Sequence, residues 1–370
     1  MNIHKLNAER SAVENPAAAI GLNLHHRISD FADSVVKTRA LRSIENIAAK
    51  YPIYRRVRCA STRNLYQIFD DLALHSGLSA CRLWGGLLLL DGAGVFVEAE
   101  GWHTTGHTSC AFNIWSESVA RLEETREKLL RIIGDTHPRS RMFTLAWHYM
   151  NQYGLDDTSF DELATDVVHD EAYPTLGVPV REFIGNYLRA DETVLVLLGS
   201  PGTGKTKLVR SILGALSERK QDSAQVIYTA DKRALEHDEI FVKFITRAYD
   251  ALVIEDADHM LLARSDGNHD LHRFLAIADG VVRAAGRKII FTTNLPNVTD
   301  VDEALLRPGR CYASVSTRPL NRDQAAALLR KLSEDHSGVN PLLSSLFASG
   351  VRGVSVAEVY RACGATRRPS

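Results

Sequence analysis

The sequence is poor in cysteine and has no cysteine pairing pattern. Cys59, Cys81, Cys110, Cys311 and Cys363 are scattered through 370 residues. An odd count, wide spacing and no CxxC weigh against a disulfide framework or a zinc ribbon, and point to reduced thiols. Long apolar runs are missing too. The longest strongly apolar stretch, Leu83–Leu90, is far short of the roughly 20 residues that span a bilayer. The opening residues, MNIHKLNAER, lack a basic-then-apolar signal pattern. A soluble, cytoplasmic protein with no membrane partner is expected. Nor is there an excess of charge: 44 Lys+Arg against 45 Asp+Glu leave a net −1. That excludes a histone-like nucleic-acid coat but leaves a local basic groove open. Internal repeats and low-complexity segments are absent.

What is present is ordinary globular material, 45% hydrophobic and 24% charged, enough for real cores. At roughly 150 residues per domain the chain predicts two or three domains. Residues 1–27 show little periodicity, and Ile28–Lys50 has the spacing of amphipathic helices. The next stretch predicts a small α+β domain. Its strands are Ile53–Cys59, a hairpin of Leu83–Leu90 and Gly94–Glu100 turning at Asp91-Gly92, Ser109–Trp115, and Met142–Met150 as the last. Its helices are Thr62–His75, capped by Ser61 or Thr62, and Ser118–Ile133. The acidic Asp156–Asp170 stretch reads as a linker or connecting helix. Beyond it, unalternating apolar runs at Val194–Leu198, Val226–Tyr228, Ala251–Ile254, Ile289–Thr292 and Ala313–Ser316 predict a parallel sheet covered by helices on both faces. From Pro319 onward only helical patterns remain. The boundaries predicted are 1–165 for the α+β domain, 166–318 for the α/β core and 319–370 for a helical lid.

The strongest motif is Gly199-Ser200-Pro201-Gly202-Thr203-Gly204-Lys205-Thr206, followed by Lys207. It fits the phosphate-loop pattern GxxxxGK[ST] and lies between a predicted buried strand and a predicted helix. Glycines let backbone N–H groups curl around phosphates, and the helix N-terminus adds partial positive charge. Lys205 is placed to neutralise the β- and γ-phosphates of ATP, and the Thr206 hydroxyl to ligate Mg²⁺. A second apolar strand ends in Glu255-Asp256-Ala257-Asp258, at the strand end where open α/β sheets bind ligands. Glu255 is the second expected metal ligand, and Asp256 the group that polarises the attacking water.

Over roughly residues 170–365 the chain resembles the AAA family of ATPases. The resemblance implies a P-loop α/β core with a helical lid, and ATP hydrolysis in a ring, usually a homo-hexamer. Ile289–Asn294 looks like the sensor-1 strand, which makes Asn294 the residue that positions the water. The segment Ala304–Arg310 looks like the arginine-finger segment, so Arg307 and Arg310 would reach a neighbour's γ-phosphate. Gly353–Glu358 looks like the sensor-2 turn, with Ala357 where other clades place arginine. Gly177 and its neighbours would line the adenine pocket. Most of the family reads Asp-Glu where this chain reads Glu255-Asp256, an order that resembles the clade containing the mitochondrial Rieske-protein translocase. Threading members carry an aromatic-hydrophobic-glycine pore loop. Here the corresponding segment, Thr229–Glu239, has neither aromatic nor glycine. Its Lys232 and Arg233 would face an acidic or nucleic-acid partner, or simply solvent.

The resemblance supports a machine that remodels or disassembles a macromolecular partner held by the N-terminal domain, which resembles nothing nameable. The alternative is an ATP-gated scaffold or loader with slow turnover. Within that domain, His103, His107 and Cys110 (WHTTGHTSC) lack an obvious fourth zinc ligand. The Arg55, Arg56 and Arg58 run reads as an exposed strand face or a nucleic-acid contact. Trp84, Trp102 and Trp115 read as packing residues.

Overall fold

The fold was obtained as a computed structural model, which describes residues 51–83, 86–104, 106–262, 286–333, 338–348, 350 and 352–366. The predicted helices over Ile28–Lys50, and Trp84, lie outside these residues. The chain divides into two compact units, 1–138 and 139–370.

In the first unit, β1 (Ile53–Ser61) is followed by α1 (Leu65–His75), β2 (Ser79–Leu83), β3 (Leu87–Gly92), β4 (Val95–Thr104), β5 (His107–Ser116), α2 (Val119–Ile133) and β6 (His137–Pro138). The six strands form an antiparallel sheet in the order β2-β3-β4-β5-β1-β6. Phe69, Leu72, Leu122 and Leu129 from the helices join Leu88, Val97, Phe112 and Ile114 of the sheet in one core. Three local expectations shift. Asn64 caps α1, accepting from Tyr66 N–H at 2.9 Å. This replaces the Ser61 or Thr62 cap, because residues 59–61 are still paired to β5. The β3–β4 turn falls at Ala93-Gly94, where Gly94 supplies a φ of +75° that a tight hairpin needs. The first of its strands begins at Leu87, four residues late. Ser118 does cap α2, accepting from Arg121 N–H at 3.2 Å.

The polar candidates of this unit have ordinary partners. Arg55 pairs with Glu123, and Arg56 lies 3.5 Å from Glu100. His103 bonds Thr108 at 3.2 Å, while burial pushes the Cys110 thiol up to about 12, unfavourable for a thiolate ligand. Trp115 packs on Tyr54 and Phe96 with centroids 5.3 and 5.9 Å away, whereas Trp102 is part exposed.

The second unit opens with β7 (Met142–Asn151) and β8 (Gly154–Leu163). Then come α3 (Val180–Arg189), β9 (Val194–Leu198), α4 (Lys205–Lys220), β10 (Ala224–Thr229), α5 (Lys232–Leu235), α6 (Asp238–Thr246), β11 (Ala251–Ile254), α7 (Asp258–Leu261), β12 (Lys288–Thr293) and β13 (Cys311–Ser316). Helices α8 (Arg322–Leu332), α9 (Val339–Leu346) and α10 (Val356–Thr366) complete it. The sheet order is β13-β9-β12-β11-β10-β7-β8, and every pairing is parallel except β7 with β8. All five expected parallel strands form. Every residue of β9, β11 and β12 is buried, as helix-covered central strands must be. One core layer gathers α3, α4 and the lid helices, the other α5, α6 and α7.

The expected domain boundary at 165 is corrected to 138/139. Met142–Met150 is a strand, but it pairs with β10 of the α/β sheet. The expected linker is largely strand β8, in full register with β7 from Met142↔Leu163 to Asn151↔Gly154. Its acidic residues have the composition of a solvated linker, yet they lie on an edge strand. An edge strand tolerates outward charge, and here Glu162 and Asp166 accept from Arg210 at 3.1 and 2.5 Å, and Asp157 from Lys243 at 3.0 Å. Among the described residues no helix is long and apolar enough to cross a membrane.

His148 on β7 is fully buried, its Nδ1 3.0 Å from the Ala146 carbonyl and its Nε2 3.8 Å from Asp157, which also holds Lys243. Burial depresses its pKa below 6.5, with Asp157 and Glu239 opposing and Lys243 assisting. The unfolded chain therefore takes up this proton first. The stability involved is complete above about pH 6.5 and is lost as pH falls towards the depressed value. We expect urea melts of the wild type to weaken between pH 7 and 5.5, and His148→Met to weaken less over that interval. An equal pH slope in the two proteins would show that His148 is not responsible.

Candidate functional site

The loop 199–204 links β9 to α4, so the ends of three strands surround it. Gly199 N–H donates to the Thr293 carbonyl of β12 at 3.1 Å. Gly199 has a φ of +143°, and a Cβ there would lie 2.1 Å from the Thr317 carbonyl oxygen. Only glycine lets the loop leave β9 under the chain that follows β13. The Thr203 hydroxyl meets the Ser200 carbonyl at 2.8 Å and the Thr317 hydroxyl at 2.7 Å, closing the loop on itself. At the helix start, Tyr173 donates to the Gly204 carbonyl at 2.8 Å. From the lid, Ala357 N–H donates to the Gly202 carbonyl at 2.9 Å, and Lys207 Nζ stands 4.0 Å above the Tyr360 ring.

Lys205 is 8% exposed. Its Nζ donates to the Gly199 carbonyl, to the Ser200 carbonyl at 3.2 Å and to Asn294 Oδ1 at 3.0 Å. Burial lowers its pKa, while Asp256, Asp258 and Glu255 pull it back up. Asn294 Nδ2 donates in turn to Asp256 Oδ1 at 3.0 Å, so one amide joins the lysine to the carboxylate. Asp258 anchors that amide's backbone, accepting from Asn294 N–H at 2.7 Å and from the Thr293 hydroxyl.

Glu255 takes the other side. Its Oε1 accepts from the Thr206 hydroxyl at 2.8 Å, and its Oε2 from the Tyr228 hydroxyl at 2.9 Å. Burial, and then Glu255, raise the Tyr228 pKa, so the phenol stays a donor. Successive strand residues point to opposite faces, yet Glu255 and Asp256 both bond groups around the phosphate loop. The backbone explains it: Asp256 has a φ of +50°, a left-handed turn that aspartate and asparagine tolerate better than most residues. The turn is held by Asp256 N–H on the Thr292 hydroxyl at 3.3 Å and by Ala257 N–H on its carbonyl at 2.9 Å.

The Thr206 and Glu255 oxygens are hard donors beside the phosphate loop. They suit Mg²⁺, which takes one or two protein oxygens and completes its shell with phosphates and water. Among the described residues there is no cluster of three or more acidic, His or Cys side chains able to hold a metal.

The two expected finger arginines differ. Arg307 is exposed. Arg310 is buried, its Nη1 bonded to the Ala304 carbonyl of its own turn. In this structure Arg310 braces the segment and Arg307 is the one presented. Gly177 sits on an exposed turn at φ +72° with open space around it. From that region it is Tyr173 that bonds the phosphate loop. The segment in the pore-loop position contains the short helix α5 and runs into the start of α6. Asp231 caps α5 at Arg233 N–H (3.0 Å) and also accepts from Met150 N–H of β7 at 3.0 Å; Lys232 and Arg233 remain exposed. A groove of about 800 Å³ between α3 and α4 contains no phosphate-loop residue, so the loop and strand ends, not that groove, define the site.

A family profile described as "ATPase family associated with various cellular activities (AAA)" matches residues 195–318. Residues 195–318 are an AAA-family domain. That domain holds every site residue above that lies in the loop, the acidic strand end and the sensor-1 strand. The 26S proteasome regulatory subunit 8 homolog of Schizosaccharomyces pombe is 27% identical over 210 residues, 53% of this chain and 49% of that protein. An "AAA ATPase forming ring-shaped complexes" of Bifidobacterium dentium is 25% identical over 200 residues, 49% of this chain and 37% of that protein. The mitochondrial ATP-dependent zinc metalloprotease FTSH 3 of Arabidopsis thaliana is 29% identical over 183 residues, 44% of this chain and 22% of that protein. The chain thus spans about half the length, or less, of these curated relatives.

Tyr173, Tyr228 and Thr317 carried no motif signal, because each acts through a tertiary contact; Asp258 stands in the acidic motif, but its hold on Asn294 has no local signature. The close approach at Gly199 gives a direct test. Gly199→Ala is expected to lose about 2–4 kcal/mol of stability by denaturant unfolding; a variant as stable as wild type would contradict the packing described.

Proposed function

We propose that this chain binds ATP with Mg²⁺ and hydrolyses it at sites shared between copies in a ring. The observation that carries this reading is the paired network at the phosphate loop: Thr206 with Glu255 on one side, and Lys205–Asn294–Asp256 on the other. Lys205 exchanges loop carbonyls for phosphate oxygens when nucleotide arrives. Thr206 and Glu255 would hold Mg²⁺, which supplies charge neutralisation at the β- and γ-phosphates. Asp256 accepts the proton of the attacking water, and Asn294, already bonded to Asp256, orients that water. Ala357 and the lid close over the loop.

Arg307 completes the site of a neighbour, stabilising the charge on the transferring phosphoryl. Such a finger is worth roughly 10³–10⁵ in rate. The ring-forming bacterial relative supports self-assembly, and a homo-hexamer is the family's usual form. The work output is remodelling or disassembly of a macromolecular partner engaged through the N-terminal unit, with cytoplasmic location part of the proposal.

One observation favours a second reading. The segment where threading members carry an aromatic grip here contains a short helix tied to β7, which suits an ATP-gated scaffold or loader of a protein or nucleic-acid complex. Partner-stimulated turnover distinguishes the two.

The test is ATPase rate against protein concentration, for wild type and for wild type doped with Arg307→Ala. The rate per subunit should rise steeply with concentration and collapse on doping by more than simple dilution. A rate flat in concentration and indifferent to doping would overturn the shared site.

A further inference from the structure

Both oxygens of Glu255 are held, and by different elements. Thr206 of α4 fixes Oε1, and Tyr228 of β10 fixes Oε2. The register explains the second contact. In the parallel β10–β11 pair Tyr228 lies beside Val253. Glu255 is two residues further along, on the same side by the period of a strand. A long side chain ending in a carboxylate has three free torsions, and one tether leaves it able to swing. The Tyr228 ring and Glu255 also border a cavity of about 300 Å³ walled by Phe143, Leu145, Trp147 and Phe160. That wall comes from the β7–β8 hairpin, and the cation that also lines the cavity, Arg210 of α4, is already held by Glu162 and Asp166. Swung toward it, the carboxylate would give up the Thr206 and Tyr228 hydroxyls for a largely apolar wall.

We propose that Tyr228 is a positioning residue, whose hydroxyl locks Glu255 in the rotamer that turns Oε1 toward Thr206 and the magnesium position. This rests on the reading of Glu255 as the metal carboxylate. Groups that orient a metal ligand contribute about 10–100-fold to metal affinity elsewhere.

The experiment compares full-length wild type with Tyr228→Phe, which keeps the ring in place and removes only the hydroxyl. Affinity for a fluorescent ATP analogue is measured in excess Mg²⁺ and in EDTA, and the ratio gives the metal's contribution. Glu255→Gln serves as the reference for loss of the ligand, and Trp147→Ala as the control for the cavity wall. Tyr228→Phe is expected to lower the ratio about tenfold, with affinity in EDTA unchanged within twofold and Trp147→Ala like wild type. An unchanged ratio in Tyr228→Phe, with Glu255→Gln impaired, would overturn the role of Tyr228 alone. Equal losses in Mg²⁺ and in EDTA would mark a merely structural tyrosine and also overturn it. A normal ratio in Glu255→Gln would instead overturn the metal reading of Glu255 on which the proposal stands.

Discussion

The hydrogen bond from Thr206 to Glu255, 2.8 Å long, joins the first turn of α4 to the end of β11, and the rest of the site depends on that junction. It forms because β9 and β11 flank β12 in one parallel sheet, so that helix start and strand end emerge on the same edge. The left-handed turn at Asp256 then does what a regular strand cannot. It lets two consecutive carboxylates address two different tasks, one beside the P-loop hydroxyl and one beside Asn294. That conformation is costly for a residue with a side chain, of order 1 kcal/mol or more, and the backbone bonds to Thr292 hold it.

Much of this was legible in the sequence. The five parallel strands were visible because a strand buried on both faces must be apolar throughout. The phosphate loop was visible because its glycines and lysine are demanded by the ligand's shape and charge. Strand β8 was not: Asp156, Asp157, Asp161 and Glu162 look like a solvated linker until their partners are known, Asn151 for Asp156, Lys243 for Asp157, Thr144 for Asp161 and Arg210 for Glu162. The two cations, Lys243 and Arg210, are distant in sequence. Misreading β8 also carried the domain boundary with it. Tyr228 and Thr317 escaped for the same reason, since a tyrosine in a strand and a threonine after one carry no local signature of what they will touch.

The arginines illustrate the limit of a motif. Arg307 and Arg310 are equivalent as letters in the finger segment. Folded, one guanidinium is exposed and the other is spent on its own turn. The segment expected to grip a substrate follows similar logic. Asp231 ties its start to a helix cap and to β7, and Ala234 and Leu235 enter the core, leaving Lys232, Arg233, Glu236 and His237 among its exposed side chains.

The central claim is the division of labour between adjacent carboxylates, Glu255 for the metal and Asp256 for the water. It is tested most directly by measuring MgATP affinity and single-turnover hydrolysis in Asp256→Asn and in Glu255→Gln. Asparagine tolerates the left-handed turn, so the first substitution changes charge without forcing a new backbone. The account predicts that Asp256→Asn holds MgATP as wild type does and cleaves it at least a hundredfold more slowly, about the share general-base catalysis contributes, whereas Glu255→Gln loses the advantage that Mg²⁺ gives to binding. Normal cleavage in Asp256→Asn, or metal-dependent binding lost there and kept in Glu255→Gln, would contradict it.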